Sequence, residues 1–160
     1  MRFVASSIWG LTVTAAASIG APAYAQRSPI TVPHINIYEQ TAAKNCVQTP
    51  ACRVDFGVVP KYLNVLRVSC LIVLRTTQAP TLISDFELGH VSSDQNNYTF
   101  GQYLAPLVVL TTAGSDQFYS ANVDTLHAVP TGYRPSILVA TNINPAVPIA
   151  MQCSIHGSTN

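Results

Sequence analysis

The side chains best suited to binding a small ligand lie around one polar stretch of the sequence, residues 92–97. Carboxylate and amide groups in this stretch can hydrogen-bond to hydroxyls, and the tyrosines that follow can stack on the flat face of a sugar ring. The candidate ligand-binding residues are Asp94, Asn96, Asn97, Tyr98, Tyr103 and Tyr133. The competing interpretation is that these tyrosines, with Phe100, fill the core and rim of the fold.

The sequence predicts neither a metal site nor a cofactor. Asp94 and Asn96 have the spacing that opens a calcium loop, but Ala105 stands at the twelfth position, where that loop needs Glu. No C-x-x-C pair is present, so a cysteine-based zinc site is not expected. The histidines are distant from one another in sequence and are expected to be isolated on the surface or at strand edges. They are His34, His90, His127 and His156.

No pattern in the sequence predicts catalysis, and we assign no catalytic residue. There is no G-x-S-x-G nucleophile elbow. His127 follows Asp124 by three residues, a spacing that places them on opposite faces of a strand. Asp85 and Glu87 share a strand face, as the paired carboxylates of a glycosidase could. A solvated face of an edge strand is the favoured explanation of that pair.

The elements that must position these residues are short strands. Prolines and turn-forming residues divide the chain at regular intervals, and several segments alternate apolar and polar residues. The predicted strands cover residues 30–38, 53–59, 63–76, 82–91, 98–103, 107–112, 117–129, 137–143 and 149–156. Residues 41–45 are predicted as one helical turn, residues 26–33 as a loose tail and residues 157–160 as a frayed end. The expected fold is an all-β, two-sheet antiparallel sandwich, jelly-roll-like, with eight or nine strands.

Four cysteines predict two disulfides. Alternation places Cys70 among Leu66, Val68, Ile72 and Leu74 on one strand face, and Cys153 on the apolar face of another strand. The favoured pairing is therefore Cys70–Cys153 together with Cys46–Cys52, although the other two pairings stay possible. Cys70–Cys153 could join two sheets or two neighbouring strands, and it would close a loop of about 84 residues.

The first 25 residues are predicted to be a cleavable secretory signal. Arg2 precedes an uncharged apolar stretch, and small residues flank Tyr24 in an A-x-A pattern that ends at Ala25. Residues 26–160 are then expected to form a single secreted or periplasmic domain without a membrane span. Loss of Arg2 would leave seven basic and seven acidic side chains, and zero net charge argues against nucleic-acid binding.

These features favour three functions in descending order. The first is a non-catalytic binding module of the cell envelope or exterior, whose partner is a glycan or an envelope protein. The second is a structural or assembly subunit that self-associates into a homo-oligomer, since a nearly uncharged surface repels its copies weakly. The third is a hydrolase with a site assembled across strands.

Overall fold

The computed structural model describes residues 36–47, 49–76, 83–104, 108–114, 116–142 and 147–160. Within these ranges the chain is all-β, without a helix. The strands are β1 (Ile37–Cys46), β2 (Ala51–Asp55), β3 (Leu63–Arg75), β4 (Ile83–Val91), β5 (Tyr98–Tyr103), β6 (Val108–Ala113), β7 (Asp116–Val129), β8 (Arg134–Thr141) and β9 (Ile149–Thr159). The predicted signal segment, its cleavage site and the tail over residues 26–33 lie outside the described residues.

The strands form two antiparallel sheets. One sheet has the order β1-β9-β3-β7-β6, and the other has the order β2-β8-β4-β5. Side chains from both sheets meet in one hydrophobic cluster, so the arrangement resembles a sandwich. The fully buried members include Leu63, Ile72 and Leu74 from β3, Leu88 from β4, Ile137 from β8, and Ile149 and Ile155 from β9. No helix in the described part of the chain is long and apolar enough to cross a membrane.

Most strand positions follow the predicted pattern, and the exceptions have physical causes. β5 has the predicted bounds, and β3, β4, β6 and β7 lie within one residue of theirs. Residues 30–35 of the first predicted strand lie outside the described residues, but the strand continues beyond residue 38 to Cys46. The prediction ended too soon because the polar Gln40 occupies a core position of β1 and hides the alternation. Its carboxamide oxygen accepts hydrogen bonds from the Tyr38 hydroxyl at 2.7 Å and the Gly57 N–H at 2.9 Å. Residues 41–45 are therefore strand and not a helical turn.

Two further expectations were wrong. Leu66 does not share the core face of β3, because the register with both neighbouring strands shifts between Val65 and Arg67. This bulge leaves Leu66 45% exposed. The chain end is not frayed at residue 157, because β9 continues to Thr159 and pairs there with Leu63 of β3.

The structure contains both disulfides of the favoured pairing. Cys70 and Cys153 are direct partners on the neighbouring strands β3 and β9, so this bond lies within one sheet. Cys46 ends β1 and bonds to Cys52 of β2, so the shorter loop is the one that links the two sheets. Two disulfides are typical of proteins in oxidising extracellular or periplasmic surroundings.

Candidate functional site

Three aromatic side chains project from the outer face of the four-stranded sheet, the face turned away from the core. Tyr103 pairs with Glu87, and paired residues project to the same side of a sheet. Glu87 is next to the core-facing Leu88 and so projects outward. The Tyr98 hydroxyl lies over Gly89, which is two residues from Glu87 on the same strand face. A Cβ added to Gly89 would be 2.6 Å from this hydroxyl oxygen. Phe100 contacts the Tyr98 ring edge-on, with 5.2 Å between centroids.

A β-bulge keeps these rings on one face. Between its pairings with β4, strand β5 has one residue more than its partner, since Thr99 opposes His90 while Gln102 opposes Leu88. Strict alternation would place positions 98 and 103 on opposite faces of the sheet. The extra residue places them on the same face. We call the set Tyr98, Phe100 and Tyr103 the aromatic platform.

Gly101 and Glu87 hold the bulge in place. The Gly101 N–H donates a hydrogen bond of 3.0 Å to Oε1 of Glu87. A side chain at position 101 would overlap the carbonyl oxygen of Leu88 and approach Cε1 of His127 to 2.5 Å. The close approach of β4, β5 and β7 therefore requires glycine at this position.

The platform combines one anchored ring with two accessible rings. Phe100 is 70% exposed and Tyr103 is 75% exposed. Tyr98 is half-buried, and the Arg53 guanidinium lies 5.5 Å from its ring centroid in a cation–π contact. Burial, with a smaller contribution from the Glu87 carboxylate, raises the pKa of the Tyr98 hydroxyl. Tyr98 thus supports the surface, while Phe100 and Tyr103 present it to solvent.

The carboxylate pair on β4 differs from its prediction. Glu87 is only 1% exposed, and β4 is an interior strand between β8 and β5 and not a solvated edge. Burial, followed by the charge of Asp85, raises the pKa of Glu87. Oε2 of Glu87 and Oδ1 of Asp85 are both enclosed and have no hydrogen-bond partner among the described residues. Enclosed oxygens cannot reach a glycosidic bond outside the protein, so this geometry favours a structural role for Glu87.

The predicted polar loop is an ordered turn at the start of the platform. The Asp94 carboxylate accepts hydrogen bonds from the Ser92 hydroxyl, the Asn96 N–H at 3.2 Å and the Asn96 side-chain amide at 3.1 Å. These bonds lower the pKa of Asp94. The Asn97 N–H donates to the Ser92 hydroxyl at 3.1 Å. Asp94, Asn96 and Asn97 remain exposed beside Tyr98.

Five of the six candidate residues therefore lie along the β4–β5 hairpin, and Tyr133 lies apart from them. Its ring contacts His90 edge-on at a centroid distance of 5.3 Å. His90 also meets His127, with 3.2 Å between Nδ1 of His90 and Nε2 of His127. The expectation of isolated histidines is wrong for this pair. Alternation in β4 and β7 places both histidines on core faces, and this was the signal available in the sequence. The alternation does not show which strands of the two sheets lie against each other.

These features define an all-β protein of two antiparallel sheets with an exposed aromatic surface on one of them. Comparison with known proteins adds no relative, since no family model, curated protein or solved structure matches the chain.

Proposed function

We propose that the protein is an exported, non-catalytic binding module that holds a glycan on the aromatic platform. The observation behind this proposal is the exposure of Phe100 and Tyr103, 70% and 75%, on one face of an ordered strand. Aromatic side chains have few rotatable bonds and therefore lose little conformational entropy when a flat apolar partner stacks on them. The C–H face of a pyranose is such a partner, and the remaining hydroxyls need hydrogen bonds.

Polar groups beside the platform match the hydroxyls of a sugar. The exposed amides of Asn96 and Asn97 lie at one end, immediately before Tyr98. Arg53 is held by Asp55 through a 2.9 Å ion pair, which fixes its guanidinium over Tyr98. A neutral glycan suits this mixture of rings, amides and paired charges better than a polyanion, because Asp55 already neutralises Arg53.

The finer architecture in this proposal is a jelly roll. β1 pairs with β9, β2 with β8, β3 with β7 and β4 with β5, as in a long hairpin rolled into two sheets. β6 adds to the edge of the larger sheet by pairing with β7. The open face of such a sheet offers a broad surface for an extended ligand.

Export through a cleaved signal ending at Ala25 belongs to the same proposal. The two disulfides support it, since such bonds persist mainly outside the reducing cytoplasm. Intact-mass analysis of the exported protein is expected to show a chain beginning at Gln26. A mass that retains Met1 would contradict cleavage.

The binding test is a glycan array followed by calorimetry on the best sugar. Phe100→Ala and Tyr103→Ala are each expected to weaken binding about tenfold, the scale of one lost stacking contact. Tyr62→Ala is the matched control, since Tyr62 is an exposed tyrosine outside the platform. Absence of binding to any sugar, or equal losses in all three variants, would remove the glycan proposal.

Self-association into a homo-oligomer is the second candidate function, and one surface favours it. The outer face of the five-stranded sheet has a groove of about 520 Å³ whose lining includes Val73, Phe118 and Ala150. Leu71 extends this apolar surface and is 43% exposed. Sedimentation analysis of the protein and of Leu71→Asp is the test. A discrete oligomer that the substitution dissociates supports this candidate, and a monomer at all concentrations excludes it.

A further inference from the structure

The pair of histidines between the sheets has a geometry suited to metal coordination. His90 belongs to β4 of the four-stranded sheet, and His127 belongs to β7 of the five-stranded sheet. Nδ1 of His90 and Nε2 of His127 face each other at 3.2 Å. Their ring centroids are 5.4 Å apart and their planes are tilted by 36°. Both side chains are partly exposed, so an ion can enter from solvent.

We propose that His90 and His127 form a two-imidazole site for a borderline divalent transition-metal ion, Cu²⁺ or Zn²⁺, which joins the two sheets. Nitrogen ligands about 2.0–2.1 Å from a tetrahedral ion lie about 3.3–3.4 Å apart. The observed 3.2 Å separation is close to that spacing, and coordination requires each ring to turn so that its lone pair points at an ion beside the N···N line. Imidazole nitrogen favours these ions over Ca²⁺ and Mg²⁺, which prefer oxygen ligands.

The protonation state of the pair also suits an ion. Burial lowers the pKa of both side chains, and the neighbouring His90 lowers that of His127 further. A metal ion binds neutral imidazole, the form that burial favours in both rings. Without an ion, one ring must donate a hydrogen bond to the other. Coordination replaces that bond and leaves a lone pair of each ring directed at the metal.

The backbone of β5 positions one of the two ligands. His127 lies against Gly101, where a Cβ would be 2.5 Å from Cε1 and 2.8 Å from Nδ1 of the ring. Tyr133 contacts His90 edge-on and limits the movement of that ring. Preorganised ligands lose less entropy when they bind an ion.

The site is open. No group of three His, Cys, Asp or Glu side chains that could hold an ion occurs among the described residues. Two imidazoles leave further coordination positions on the ion, and water can occupy them. Such a site is expected to bind Cu²⁺ more tightly than Zn²⁺, following the general order of affinity for nitrogen ligands.

The test is calorimetry of CuCl₂ and ZnCl₂ binding to tag-free, chelator-treated protein with its disulfides formed. One ion per chain is expected, with at least tenfold weaker binding in His90→Gln and in His127→Gln. His156→Gln is the matched control and should bind as the parent does, because His156 lies on the outer face near Glu39. CaCl₂ and MgCl₂ should give no heat of binding.

Two measurements keep the result interpretable. Near-ultraviolet circular dichroism of each variant without metal checks that the fold is retained. Cu²⁺ absorption in the visible range reports nitrogen coordination directly. Absence of binding by the parent, or binding that survives in both His90→Gln and His127→Gln, would overturn the site. Binding lost only in His156→Gln would place the ion elsewhere and would also overturn it.

Discussion

Replacing Gly101 with Ala is expected to destabilise the protein and to disrupt the aromatic platform. The new Cβ would overlap the carbonyl oxygen of Leu88, a backbone atom that cannot move without separating β4 from β5. Forcing such an overlap costs about 1–3 kcal/mol. Loss of the Gly101–Glu87 hydrogen bond adds about 0.5–1.5 kcal/mol. The free energy of unfolding should therefore fall by about 1.5–4.5 kcal/mol, which corresponds to a Tm lower by about 5–18 °C.

Urea denaturation with the disulfides intact measures this change. Gly114→Ala is the matched control, because Gly114 has a positive φ of 62° but a Cβ added there would have no atom of the described residues within 4 Å. It should lose only the cost of a left-handed alanine, about 1–2 kcal/mol. Only Gly101→Ala should also shift the ring resonances of Tyr98 and His127 in NMR spectra. Parental stability with unchanged resonances in Gly101→Ala would refute the constrained bulge.

Three further outcomes are expected. Removing Cys70–Cys153 by double alanine substitution should cost about 4.5 kcal/mol in urea denaturation, against about 2.4 kcal/mol for Cys46–Cys52, since the bonded residues are 83 and 6 positions apart. Stability should fall as the pH drops below 6.5, because His90 and His127, with lowered pKa values in the fold, bind fewer protons there than in the unfolded chain. Glu87 opposes this loss at lower pH because its pKa is raised. Thermal unfolding at pH 7.5 and at pH 5.5 should show a smaller decrease in Tm for His127→Gln than for the parent. Tyr103→Ala should change the free energy of unfolding by less than about 0.5 kcal/mol, since its ring is exposed; a larger loss in urea melts would mean that Tyr103 is structural.

Much of the sheet structure could be predicted from local patterns. Alternation over Val68, Cys70 and Ile72 is strong because each alternate side chain is buried. The same alternation placed Cys70 and Cys153 on core faces, and the disulfide between them follows from that placement. The prediction missed most of β1 because the core position at Gln40 is polar. A buried polar residue satisfied by distant groups, here the Gly57 N–H, leaves no local signal.

The candidate site was only partly predictable, because its geometry depends on pairing between strands. Residue type and order indicated that Tyr98 and Tyr103 lie beside a polar turn. Their common face, however, results from a bulge whose partner is Glu87, fourteen positions before Gly101. The meeting of His90 with His127 depends on how the two sheets pack, which a strand's own alternation does not encode.

The bulge also explains how β5 can be exposed without pairing with strands of other chains. β5 ends the four-stranded sheet, and every residue from Thr99 to Tyr103 is exposed. A flat edge strand with large aromatic side chains would be a template for pairing with another chain. A β-bulge increases the local twist of its strand, and the Gly101 N–H already donates to Glu87 of the neighbouring strand β4. The same feature that turns the three rings to one face thus makes the backbone beside them a poor partner for strand addition, so a ligand of β5 is expected to contact its side chains and not its edge.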